Sequence, residues 1–200
     1  MAEDEPQGGA AADDVAALYG RALDEFGRRV HAVRADQWGC PTPCKDWEVR
    51  NLVNHLVAEQ LWVPPLLAGA TVAELGDTFA AGDLLGADPV AAWDAASAAA
   101  RAAFAEPGAL RRTVHLSYAD RPGEEYAREM IFDLVVHSWD LARGISVDDT
   151  VDPDLVEAVY GRLEPDVDLS ASGLFAEPVP VPTDADDQAK LIALTGRQPG

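Results

Sequence analysis

Between Glu124 and Arg143 the chain reads EEYAREMIFDLVVHSWDLAR, with no internal glycine or proline. At about 100° per residue in a helix, Asp133 and His137 fall one turn apart on one face, with Asp140 beside them. Tyr126 and Met130 extend that stripe toward the N-terminus, while Phe132, Val135, Val136 and Trp139 cover the other faces. A carboxylate in such apolar surroundings is costly unless it is paired. One divalent ion would serve several of these side chains together. A buried hydrogen-bonded network would serve them too, and spacing alone leaves both readings open. His55 lies at the border of another apolar helical stripe, one turn from Asn51 and Glu59. A border histidine by itself is a packing residue; this one gains weight because Asp133 and His137 supply two ligands and a third is wanted. Two imidazoles and one carboxylate suit zinc with an open position, and also nickel or ferrous iron. Zinc brings the pKa of bound water to about 7 and holds a bound thiol deprotonated. Such a thiolate could attack an electrophilic carbon or add reversibly to a double bond. No serine or cysteine has a nucleophile context, and Ser138 points to a different helix face from His137.

The elements that must position these residues follow from periodicity. Val15, Leu18, Tyr19, Ala22, Phe26, Val30 and Val33 predict a first helix from Ala12 to about Val33, with His31 on its polar side. After the Pro-punctuated WGCPTPC segment, Asp46 is the expected N-cap of a second helix to about Leu61, ended or kinked by Pro64 and Pro65. A looser stretch with a short helical piece near Val72–Phe79 leads to an alanine-rich third helix, Pro89 to about Ala105. Arg112–Tyr118 alternates like a short extended arm, its His115 expected in solvent, and residues 119–123 read as a turn. The Glu124–Arg143 helix is the fourth, with Gly144 as its expected C-cap. Shorter helices are expected at Pro153–Leu163 and Asp184–Leu194, joined by an extended Pro-rich stretch. Residues 1–10 read as a flexible acidic tail and 11–200 as a single domain. The class expected is all-α, an up-down-up-down four-helix bundle of the kind that builds metal sites from facing side chains.

Composition bounds the partners. The 200 residues carry a formal net charge of -20, which argues against phosphate-backbone ligands and anionic membrane surfaces. No apolar run approaches membrane-spanning length, and MAEDEPQGG lacks the features of a secretion signal, so a cytoplasmic protein is expected. Cys40 and Cys44 have neither redox nor zinc-knuckle spacing and read as bystander thiols, a local disulfide being the alternative. Trp47, Trp62 and Trp139 are candidates to wall a cavity.

Three segments carry a family resemblance: PTPCKDWEVRNLVNHL, DLVVHSWDLARG and the closing ALTGRQP. Together they resemble the DinB-like four-helix-bundle family. Within it, they are similar to the actinobacterial branch related to the N-terminal domain of mycothiol-dependent maleylpyruvate isomerase. The likeness runs from about Asp14 to Pro199 and implies one divalent metal held by His55, Asp133 and His137. Asp133 stands where the isomerase pattern has glutamate, a shorter arm that draws the metal closer or binds it more weakly. Asp140 is implied as an acceptor orienting a histidine, or as a fourth ligand. The resemblance moves the balance from network to metal, zinc first. It implies a transferase or isomerase using a small thiol such as mycothiol. The alternatives are a thiol-free metal enzyme of specialised metabolism and a metal-binding module without catalysis. The first expects cations near the metal, with Arg50, Arg128 and Arg143 as candidates; the second expects an apolar pocket and the third a filled coordination sphere. The expected partner is a small-molecule substrate, with no nucleic acid and no membrane, and the protein a monomer or homodimer.

Overall fold

The structure is a computed structural model describing residues 8–79, 82–163 and 167–199, with side chains from Val15 onward. Four long helices form its body: α1 (Gly8–Ala32), α2 (Val49–Leu67), α4 (Pro89–Phe104) and α5 (Gly123–Ile145). A single turn, α3 (Val72–Leu75), follows α2, and a hairpin of β1 (Thr113–His115) and β2 (Asp120–Pro122) precedes α5. Two short helices, α6 (Pro153–Tyr160) and α7 (Asp187–Leu194), close the chain. The protein is therefore an all-α bundle with a small antiparallel sheet. Among the described residues, no helix is long and apolar enough to cross a membrane.

The long helices pack as a ring in the order α1, α5, α2, α4. Their inward faces carry the side chains that the 3.6-residue period selects, among them Tyr19, Phe26, Leu52, Leu56, Trp93, Leu134 and Trp139, all at most 2% exposed. The connection between α1 and α2 runs against the C-terminal part of α5. A Cβ on Gly144 would lie 3.1 Å from both Thr42 Cγ2 and Val49 Cγ2, so the bare glycine admits this loop. Gly144 is thus a packing glycine inside the helix, not its cap; α5 ends at Ile145 and its C-cap is Ser146, which takes the left-handed conformation at φ 58°.

Other boundaries also differ from expectation. The first helix begins at Gly8, so residues 8–10 are helical rather than tail, and residues 1–7 lie outside the described residues. Asp46 sits at φ 65° in a tight turn, a region aspartate tolerates better than most residues, and the N-cap of α2 is Glu48. Asn51 Oδ1 accepts from the Glu48 backbone N–H at 3.0 Å. At its other end, α2 continues through Pro64 and Pro65 to Leu67, because burial of Val63, Leu66 and Leu67 offsets the missing donors. Finally, residues 120–122 pair with β1 as a strand (Val114 opposite Arg121), and the turn lies before them.

Candidate metal centre

The ring order sets α2 beside α5 and so brings His55 to Asp133 and His137. His55 Nε2 lies 3.3 Å from Asp133 Oδ2, and His137 Nε2 lies 3.3 Å from Asp133 Oδ1. The imidazole rings stand nearly perpendicular, with centroids 5.3 Å apart. One ligand atom from each of the three residues falls within 4.8 Å of the others. Asp133 Oδ2 is buried and accepts no hydrogen bond, although a ring nitrogen is that close. A buried carboxylate oxygen without a donor is expensive, and a cation between the three side chains would supply its partner. Zinc bonds of about 2.0–2.1 Å at tetrahedral angles put neighbouring donors roughly 3.3–3.4 Å apart, and each histidine Nε2 keeps that separation from one of the Asp133 oxygens. The residues therefore fit a small divalent ion. Burial alone would push the Asp133 carboxyl up, yet His137 and His55 hold it well below the ordinary carboxylate range.

The far side of His137 is tied down. Its Nδ1 lies 2.8 Å from Oδ2 of Asp140, which is fully buried. A carboxylate only accepts, so Nδ1 carries the proton and Nε2 turns toward Asp133. Asp140 thus sits behind the histidine rather than beside His55. Its other partners are Arg197, whose Nε donates to both carboxylate oxygens at 2.7 and 3.0 Å, and Cys44, whose thiol donates at 3.1 Å. Burial opposes ionisation of Asp140, and the bonds from His137 and Arg197 outweigh it, leaving the carboxyl below its ordinary range. Cys44 is not the bystander expected. Both cysteines are free thiols, and Cys44 Sγ also stands 3.7 Å from His137 Nδ1 and 3.3 Å from Arg197 Nη2. Sequence reasoning gave Arg197 no role. Its one signal was that PTPCKDW and ALTGRQP, which hold Cys44 and Arg197, accompany the histidine segments.

The three candidate ligands line a cavity of about 1280 Å³. Trp47 packs over both imidazoles, its ring 5.0 Å from His55 and 6.1 Å from His137. Trp62, Tyr126, Met130 and Phe175 form further apolar wall, whereas Trp139 belongs to the core under Arg143. Of the three arginines considered from sequence, only Arg128 reaches the cavity; Arg50 pairs with Asp83 and Arg143 with Asp149. Lys45 and Arg162 also line it. Glu59 adds a carboxyl 3.9 Å from His55 Nδ1, pushed up by burial and by the Asp133 charge. The remaining histidines are elsewhere, His31 with Asp94 and His115 with Asp120, each at 2.8 Å. Ser138 is buried with its Oγ unpaired and touches no part of this site.

Two Mycobacterium tuberculosis proteins, one from each of two strains and both described as uncharacterized, are 32% identical over 180 residues, covering 88% of this chain and 94% of each relative. No solved structure is a significant match. A family model matches residues 19–142, more than half of the chain, and includes His55, Asp133 and His137. By that match the chain belongs to the family of the mycothiol maleylpyruvate isomerase N-terminal domain.

Proposed function

We propose that this protein is a divalent-metal enzyme, zinc being the first candidate, that activates a small thiol for transfer to, or reversible addition to, an electrophilic small molecule. The observation that carries the reading is the convergence of His55, Asp133 and His137 around a buried, unpaired carboxylate oxygen in the wall of a large cavity. The family's name supplies mycothiol as the thiol to test first. When bound, the ion would act as a Lewis acid and lower the pKa of a thiol in its open position. The chain's own contribution is positional. His55, Asp133 and His137 would hold the ion, and Asp140 fixes the tautomer of His137. Trp47 packs against both imidazoles. Glu59, more readily protonated than an ordinary carboxylate, can hold a proton on the cavity side of His55. Lys45, Arg128 and Arg162 offer charge to the polar part of a thiol cosubstrate. The aromatic walls favour one alternative, a thiol-free metal enzyme acting on an apolar substrate. On either reading the protein works on small molecules in the cytoplasm, as a monomer or homodimer, and not on nucleic acid.

Purified protein should hold about one divalent ion per chain, as one three-ligand site implies. Replacing it with cobalt and adding mycothiol should produce an intense sulfur-to-cobalt charge-transfer band, absent in His55→Ala. If mycothiol leaves the spectrum unchanged while a carboxylate or hydroxamate perturbs it, the thiol-free alternative replaces the proposal. If neither untreated nor metal-reconstituted protein holds an ion, the three residues are a polar network.

A further inference from the structure

His137 faces two clusters, one through each ring nitrogen. On the Nε2 side stand Asp133 and His55; on the Nδ1 side stand Asp140 at 2.8 Å and Cys44 at 3.7 Å. The second set is itself a chelating group, with one atom from each of Cys44, His137 and Asp140 within 4.8 Å of the others. By donor type it is a serious competitor, since thiolate, imidazole and carboxylate are all zinc ligands and sulfur suits a soft or borderline metal. What separates the two clusters is Arg197. Its guanidinium touches both Asp140 oxygens and lies 3.3 Å from Cys44 Sγ, 57 and 153 residues distant in sequence. A guanidinium does not deprotonate in a protein, so the Nδ1-side cluster already holds a fixed positive charge.

We infer that Arg197 is a positioning residue that decides which of the two clusters takes the metal. By occupying the Cys44–Asp140 side it keeps Asp140 as the acceptor for the His137 Nδ1 proton. Only Nε2 is then available to an ion, and Cys44 stays outside the coordination sphere. The place of a sulfur ligand is thereby left for a thiol from outside. This rests on the metal reading above and goes beyond it, because it assigns a role to a residue outside the matched family region.

The test is cobalt absorption of the full chain without added thiol, in wild type, Arg197→Met, Arg197→Gln, Arg197→Lys and the Arg197→Met/Cys44→Ser double variant. Wild type and Arg197→Lys should bind cobalt without a sulfur charge-transfer band. Both neutral variants should gain that band, and the double variant should lose it. Circular dichroism checks the fold, and Arg197→Gln decides the matter if Arg197→Met loses helicity. Spectra of the neutral variants matching wild type would overturn the inference while leaving the metal centre standing, as would the band in wild type itself. Wild-type protein that binds no cobalt would overturn the metal reading, and this inference with it.

Discussion

Removing the His137 imidazole takes away a group engaged through both nitrogens, to Asp133 on one side and Asp140 on the other. His137→Ala should therefore abolish zinc binding in a calorimetric titration. Asp140→Asn, which leaves the ligands in place but weakens their support, should lower affinity by about 10–100-fold. Equal affinities in Asp140→Asn and wild type would mean that Asp140 serves only packing. These positions were legible in the sequence because Asp133 and His137 interrupt an apolar helix at a four-residue interval. Cys44 and Arg197 were not, for a physical reason. Each lies in irregular chain, where no period links a side chain to a face, and each meets Asp140 only through a long-range contact.

The helices carry their own test, where α1 and α2 face each other across the middle of the ring. The Tyr19 hydroxyl donates to Gln60 Oε1 deep in the bundle, and Gln60 Nε2 has no partner there. Burial raises the Tyr19 pKa, with Arg101 opposing only in part; burial raises that of Tyr126 in the same way. A phenol whose folded pKa is raised contributes its full stability below the unfolded value of about 10 and loses it as pH climbs beyond. Urea unfolding should thus show stability falling above about pH 10, and falling less steeply in Tyr19→Phe. At pH 8 that variant should cost about 1–3 kcal/mol, because Gln60 loses its donor in a buried setting. Parallel pH curves for the two proteins would refute this account of Tyr19. Helix existence was readable from the 3.6-residue stripes, but ends were not. Pro64 and Pro65 predict an end or a kink, and the apolar side chains around and beyond them are buried strongly enough to carry α2 on to Leu67. Asp46 has the composition of a cap but is used for its tolerance of positive φ.

At the scale of the whole molecule, the sequence specified a bundle without specifying its ring. Four amphipathic helices can close in more than one order, and the pairing of α2 with α5, on which the candidate site depends, follows from long-range packing. The same packing draws the chain after α6 back over the bundle. Phe175 meets Phe132, the Val179 N–H donates to the Ala193 carbonyl at 3.0 Å, and Leu191 and Ile192 of α7 are buried. Arg197 completes the seam at Asp140. The chain leading to α7 is open to solvent at Leu174, which is 82% exposed beside a left-handed Gly173. Such exposed loop tips are where proteases cut. A single nick at Leu174 should leave two fragments that elute together in gel filtration and part only in denaturant. Release of the C-terminal fragment under native conditions would show the seam to be weaker than its contacts imply. As the structure stands, the peptide bond after Leu174 is a tether, and the noncovalent seam is the joint.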